Sequence, residues 1–146
     1  MVSVVTAVQS DVLHVVGDRL RVIVDGSESE NMFELFKVEG DIGSGPPPHA
    51  HSWVEVYFVL TGSLILEIGA ERTLGEAGTS AVVPAGEVHR FEVASPSATF
   101  IVATTGGRAS AFFRDLSANA PGAPTPENLP GIVEVAKRNG LTSPLF

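Results

Sequence analysis

The amino-acid sequence predicts an all-β fold, an antiparallel sandwich or barrel, on three observations. Apolar runs of strand length recur from Val12 to Thr104. Turn signals separate them at intervals of about ten residues. Helical periodicity is confined to the segment after Thr105.

In chain order, Val12–Val16 and Leu20–Val24 read as the first strand pair, and Asp25-Gly26 turns the chain into a third strand over Met32–Val38. Val54–Leu60, Ser63–Ile68, Thr79–Val83, Val88–Val93 and Ala98–Thr104 follow, with turns at Thr61-Gly62, Gly69-Ala70, Pro84-Ala85-Gly86 and Ser95-Pro96. Val54–Leu60 is apolar on both faces, Tyr57 and Val59 alternating with Val56, Phe58 and Leu60. A strand covered on both sides needs a second sheet or a second subunit, and this predicts a homodimer. Beyond Thr105, Ala109–Leu116 is a candidate short helix, and Asn119–Gly131 is a proline- and glycine-rich loop. Then "IVEVAKRNG" reads as a helix with Ile132, Val133 and Ala136 on its apolar stripe, Lys137 and Arg138 near its end and Gly140 as its stop.

At 146 residues the chain is expected to be one domain, with a core over about residues 12–105 and a C-terminal extension over 106–146. Hydrophobic residues at 44% and charged residues at 18% fit a folded protein rather than a disordered one. No apolar run approaches a membrane span, and the first residues carry no basic, apolar leader. A cytoplasmic protein without a membrane partner is therefore expected. The net charge is −8 and the nine basic residues are dispersed, which argues against nucleic acid as a partner. The arginine-over-lysine bias and abundant Ala, Gly and Val suggest a GC-rich bacterial source. With no cysteine, any metal must be held by nitrogen and oxygen.

The stretch "GSGPPPHAHSWVEVYFVLTG" concentrates the chemistry. Pro46, Pro47 and Pro48 fix an extended lead-in that can enter neither a helix nor a central strand. His49 and His51, two apart on an extended segment, project to one face and can offer two nitrogens to one ion. Glu55 would lie roughly 20 Å from His49 on a straight strand. A shared ion therefore requires a bend in Ser52-Trp53-Val54. A second cluster, "GTSAVVPAGEVHR", pairs stiff turn residues with His89.

Gly43-x5-His49-x-His51-x3-Glu55-x6-Gly62 and Gly78-x5-Pro84-x-Gly86-x2-His89 together resemble the two motifs of the cupin superfamily, with Val93 standing where cupins usually carry asparagine. "GDRLRVIVDGSESENMFELFKVE" and "TTGGRASAFFRDL" resemble the ends of small quercetinase-like cupins. The resemblance implies a cupin β-sandwich barrel of jelly-roll type, with six to eight strands and a short C-terminal helix. It also implies a metal at one end of an apolar cavity, held by His49, His51, Glu55 and His89. The ion would be one divalent transition metal: Zn, Fe, Ni, Mn, Co or Cu. Three imidazoles and a carboxylate leave positions open for catalysis.

Catalytic roles are assigned to Glu55, as a base, and to Tyr57, which shares its face. The Tyr57 hydroxyl either meets substrate or simply packs. His14 shares a strand with Val12 and Val16 and is expected to be half-buried, becoming a further ligand only if it lies beside the metal. Phe33, Phe36, Phe91 and Phe100 are assigned to the core, Arg90 to the rim, and the acidic excess to the solvated surface. An enclosed cavity points to a small-molecule substrate. Three functions fit: a metal-dependent cyclase for aromatic or polyketide-type molecules, as in bacterial antibiotic biosynthesis; a quercetinase-type oxygen-dependent dioxygenase; or a non-enzymatic small-molecule sensor, the last disfavoured because such cupins usually carry a DNA-binding helix pair that this sequence lacks.

Overall fold

A computed structural model describes residues 2–7 and 11–145. Within them the chain forms strands β1 (Val12–Val15), β2 (Asp18–Val24), β3 (Phe33–Asp41), β4 (Glu55–Thr61), β5 (Ser63–Ile68), β6 (Glu71–Glu76), β7 (Ser80–Val83), β8 (His89–Val93) and β9 (Ser97–Thr105). Helices α1 (Ala109–Asn119) and α2 (Leu129–Arg138) follow. Two antiparallel sheets result, one ordered β1-β2-β3-β9-β4-β7 and the other β6-β5-β8. This is a β-sandwich barrel, as the sequence pattern predicts.

Period-two burial explains the layers. On β3, Glu34, Phe36, Val38 and Gly40 are buried while their neighbours face outward. Phe36 packs edge-to-face on Phe113 of α1, with ring centroids 5.0 Å apart, which seats the C-terminal extension against the larger sheet. Phe36, Phe91 and Phe100 are core residues, whereas Phe33 is 47% exposed, because it begins β3 with the outward parity.

Three further expectations are corrected. β6 was absent from the expected strands: its sequence, ERTLGE, shows no apolar alternation, since it is an exposed edge held only through β5. His14 is exposed rather than half-buried, because β1 turns Leu13 and Val15 inward. α2 begins at Leu129, ahead of Ile132, with Pro130 in its first turn, where a missing N–H leaves no bond unmade. Val135, not Val133, joins Ile132 and Ala136 in the buried stripe, and Gly140, at φ 83°, ends the helix as expected.

Two local devices shape the site's surroundings. The β1–β2 hairpin turns through Val16 and Gly17 at φ 47° and 91°. A β-branched residue in this left-handed region is strained by about 1–2 kcal/mol. The turn is clasped by the 120–124 loop, Gly17 N–H donating to the Pro121 carbonyl at 3.1 Å. The second device is Glu34, fully buried. It accepts one bond from Gly26 N–H and one from Ser110 N–H, both 2.9 Å, placing a carboxylate on the N-terminal turn of α1. No helix among the described residues is long and apolar enough to cross a membrane.

Candidate metal centre

The site begins with backbone geometry. His49 and His89 form an isolated antiparallel bridge, His49 N–H to the His89 carbonyl at 3.1 Å and His89 N–H to the His49 carbonyl at 2.9 Å. One residue on, Ala50 bridges to Thr142, so the His-Ala-His segment is held on two sides. The Ser143 hydroxyl also donates to the Pro48 carbonyl at 2.6 Å. Gly86 N–H donates to the His51 carbonyl at 2.8 Å, tying the PAG turn to the same segment. Gly45 explains how the triple-proline lip comes so close to β8. It adopts φ 152°, and any Cβ would fall inside the radius of the Phe91 carbonyl oxygen.

The bend required between His51 and Glu55 falls at Ser52-Trp53, and β4 starts at Glu55 itself. His49, His51 and His89 then present ring nitrogens within 4.8 Å of one another. Glu55 Oε2 lies 3.1 Å from His51 Nε2 and 2.9 Å from His89 Nε2. All four residues carried over from the resemblance thus converge. Tyr57 joins them, its hydroxyl donating to Glu55 Oε2 at 3.3 Å. His14 is not part of the cluster.

The supporting contacts that sequence could not place follow one rule. Each imidazole uses Nδ1 toward a backbone carbonyl two residues away: His49 to Pro47 at 2.9 Å, His51 to Trp53 at 3.0 Å, His89 to Glu87 at 2.8 Å. A carbonyl only accepts, so each Nδ1 carries the proton and each Nε2 is left to face the cluster. The Trp53 indole stacks on His51, with centroids 4.2 Å apart and planes 9° apart, locking that ring.

Electrostatics agree with a cation at the centre. Burial alone would raise the Glu55 carboxyl, but the hydrogen bonds and charge of His51 and His89 outweigh it and hold it well below the usual carboxylate range. Burial tends to lower His89, yet bonding to Glu55 dominates and raises it. Burial, with the charge of His89, brings His49 down to about 4. Burial and then the Glu55 charge push the Tyr57 hydroxyl well above its ordinary value. With Nδ1 protonated, an Nε2 within 3 Å of a carboxylate needs either a second proton or a metal ion. A dication replaces those protons and supplies their charge. The donor set fits a divalent transition metal.

The matching family model, described as Cupin domain, spans residues 36–104, the stretch that carries the whole ligand cluster. This part of the chain is a cupin domain. Solved cupins share its fold. KdgF from Halomonas sp. is 18% identical, covers 76% of this chain and 99% of its own, and superposes at TM-score 0.67. An RmlC-like cupin from Shewanella frigidimarina is 17% identical, over 73% of this chain and 93% of its own, at 0.64. The polyketide cyclase RemF from Streptomyces resistomycificus is 22% identical, over 72% and 80%, at 0.61. No curated protein matches the chain in sequence. Val93, at the usual asparagine position, is a core residue of the domain, with its backbone paired to Gly43 and Ser44.

Beside the cluster opens a cavity with about 80 Å³ open to the centre of a water-sized sphere. Its walls are nearly all apolar, and the helices contribute Phe112, Phe113, Leu116 and Ile132. From the sequence these helices are legible only as an extension. Their lining role was signalled by apolar residues at helical spacing, but not the surface they would meet. The polar exceptions on the wall are His49, Glu55, Tyr57 and Asp18.

Proposed function

We propose that this cupin is a metal-dependent enzyme acting on a small, largely apolar organic molecule. The observation that carries the reading is the convergence of three Nε2-presenting imidazoles and Glu55, a cluster whose His49 and Glu55 line an apolar cavity. His49, His51 and His89 would hold one divalent transition ion, with Glu55 as fourth ligand or adjacent base. When bound, the ion supplies Lewis-acid polarisation of a carbonyl or enol oxygen.

The reaction that suits these residues best is cyclisation or aromatisation of a polyketide-type substrate by enolate chemistry. Glu55 is held ionised, so it can take a proton from an activated carbon beside a carbonyl. Tyr57 keeps its proton and donates to Glu55, fixing which oxygen faces the substrate. The apolar walls exclude water and hold a flexible chain in one fold. The volume is small against ordinary ligand pockets, so the enclosed part of the substrate must be slender.

Metal analysis of the purified chain, followed by turnover of aromatic poly-ketone probes with and without oxygen, tests this. Oxygen-independent cyclisation supports the reading. Obligate oxygen uptake replaces it with the dioxygenase, and tight ligand binding without turnover replaces it with a sensor. Glu55→Gln is expected to retain metal and lose turnover by about 100-fold or more; full activity would remove Glu55 as the base.

A homodimer is proposed on the outer face of β4. Phe58 and Leu60 are each 41% exposed there, beside Val82 on β7 at 60%. A second copy covering this patch predicts a dimer by light scattering, and a monomer at micromolar concentration refutes it.

A further inference from the structure

Asp18 stands apart from the metal cluster. It opens β2, is 1% exposed, lines the same apolar cavity, and neither of its carboxylate oxygens has a hydrogen-bond partner among the described residues. The Ser44 hydroxyl is equally buried and unpartnered. The two are neighbours: a Cβ on Gly40 would lie 2.6 Å from Asp18 Oδ1 and 2.5 Å from Ser44 Oγ, so glycine leaves open the pocket between them. Burial drives the Asp18 carboxyl up to about 6; the Ser44 hydroxyl, near enough to favour the charged form yet outside hydrogen-bonding geometry, and Arg19 oppose this, and Asp41 assists. An unpartnered buried carboxylate is costly to a fold, and such groups persist where ordered water, an ion or a ligand completes them; on an apolar cavity wall a ligand can do so.

Register places this spot far from the metal. Arg19 pairs with Glu39, so Asp18 stands level with Gly40, whose partner on β9 is Ala98. Glu55 pairs with Thr104 on the same strand. That is roughly 20 Å along the strand direction.

We propose that Asp18, with Ser44, is the distal recognition site of the cavity, accepting a hydrogen bond from a hydroxyl or ammonium group of the bound molecule. The substrate is then an elongated, mainly apolar molecule with an oxygen function at the histidine end and a hydrogen-bond donor at the other. The inference rests on the cavity being a small-molecule pocket and not on the metal.

Benzyl alcohol, benzylamine and toluene are titrated by ligand-observed NMR into the metal-free 146-residue chain, and into its Asp18→Val and Asp18→Asn variants. Thermal unfolding of all three proteins is recorded alongside. At least one donor probe is expected to bind the native chain about tenfold more tightly than toluene. A preference for benzylamine alone assigns a cationic donor; a preference for both assigns a hydroxyl-type contact. Asp18→Val is expected to abolish the preference and to raise the melting temperature, because it removes an unpartnered buried charge. A merely structural aspartate predicts the opposite shift. Equal binding of all three probes, or destabilisation by both variants, overturns the proposal. Zinc binding is measured separately, so failure of the metal reading is distinguishable.

Discussion

Replacing Glu34 by alanine tests how α1 is fixed to the barrel. The residue is fully buried, and its two oxygens accept from Gly26 and Ser110 N–H groups at 2.9 Å. A hydrogen bond to a charged group contributes about 1.5–3 kcal/mol, and removing the acceptor leaves two buried donors unmet. Water entering the space left behind recovers a part, so a net loss of about 3–5 kcal/mol is expected. For a chain of this size each kcal/mol lowers the melting temperature by about 2–4 °C, giving a fall of about 6–20 °C. Urea unfolding with an unchanged m-value, and calorimetry, measure both quantities. Glu34→Gln retains one acceptor and should lose about half as much. A loss for the alanine variant below about 1 kcal/mol refutes the reasoning, since two bonds of this kind cannot be so weak.

Gly45→Ala is expected to displace the proline lip and lower zinc affinity measured by calorimetry, while Gly131→Ala, where a Cβ meets nothing, leaves affinity unchanged. Adding zinc at about 100 times its dissociation constant should stabilise the chain by about 2.7 kcal/mol, and EDTA should reverse this; equal melting curves would remove the metal reading. Asp115 anchors α1 to α2 through Arg138 and Asn139. Bonding to Arg138, then to Asn139, lowers its carboxyl from 3.8. A depressed value stabilises the fold above pH 3.8 and loses that contribution as the pH falls through the folded value. Asp115→Asn should therefore flatten the acid limb of the stability profile near and below pH 4.

The His49–His51 pair and the bend before Glu55 were legible from local spacing, whereas His89, 34 residues beyond Glu55, joined the ligand set only through the resemblance to the cupin motifs. Most strands were legible from apolar alternation. β6 escaped because an exposed edge strand needs no apolar face, and Glu34 and Asp18 escaped because charged residue types are ordinarily on the surface. Glu34 is buried against the Gly26 and Ser110 N–H groups, and Asp18 beside the space that Gly40 leaves next to Ser44, neighbours brought in from other elements by the fold. The Nδ1 bonds of the three imidazoles were unreadable for the same reason: they involve backbone carbonyls, which every residue carries.

The Ala50–Thr142 bridge has a consequence for synthesis. All four proposed ligands lie within residues 49–89, yet the segment that aims His49 and His51 is braced by Thr142 and Ser143. On a ribosome the ligands emerge well before their brace. Metal capture in the finished arrangement would accordingly wait for residues 142–143 to be made and folded, rather than follow the appearance of the histidines.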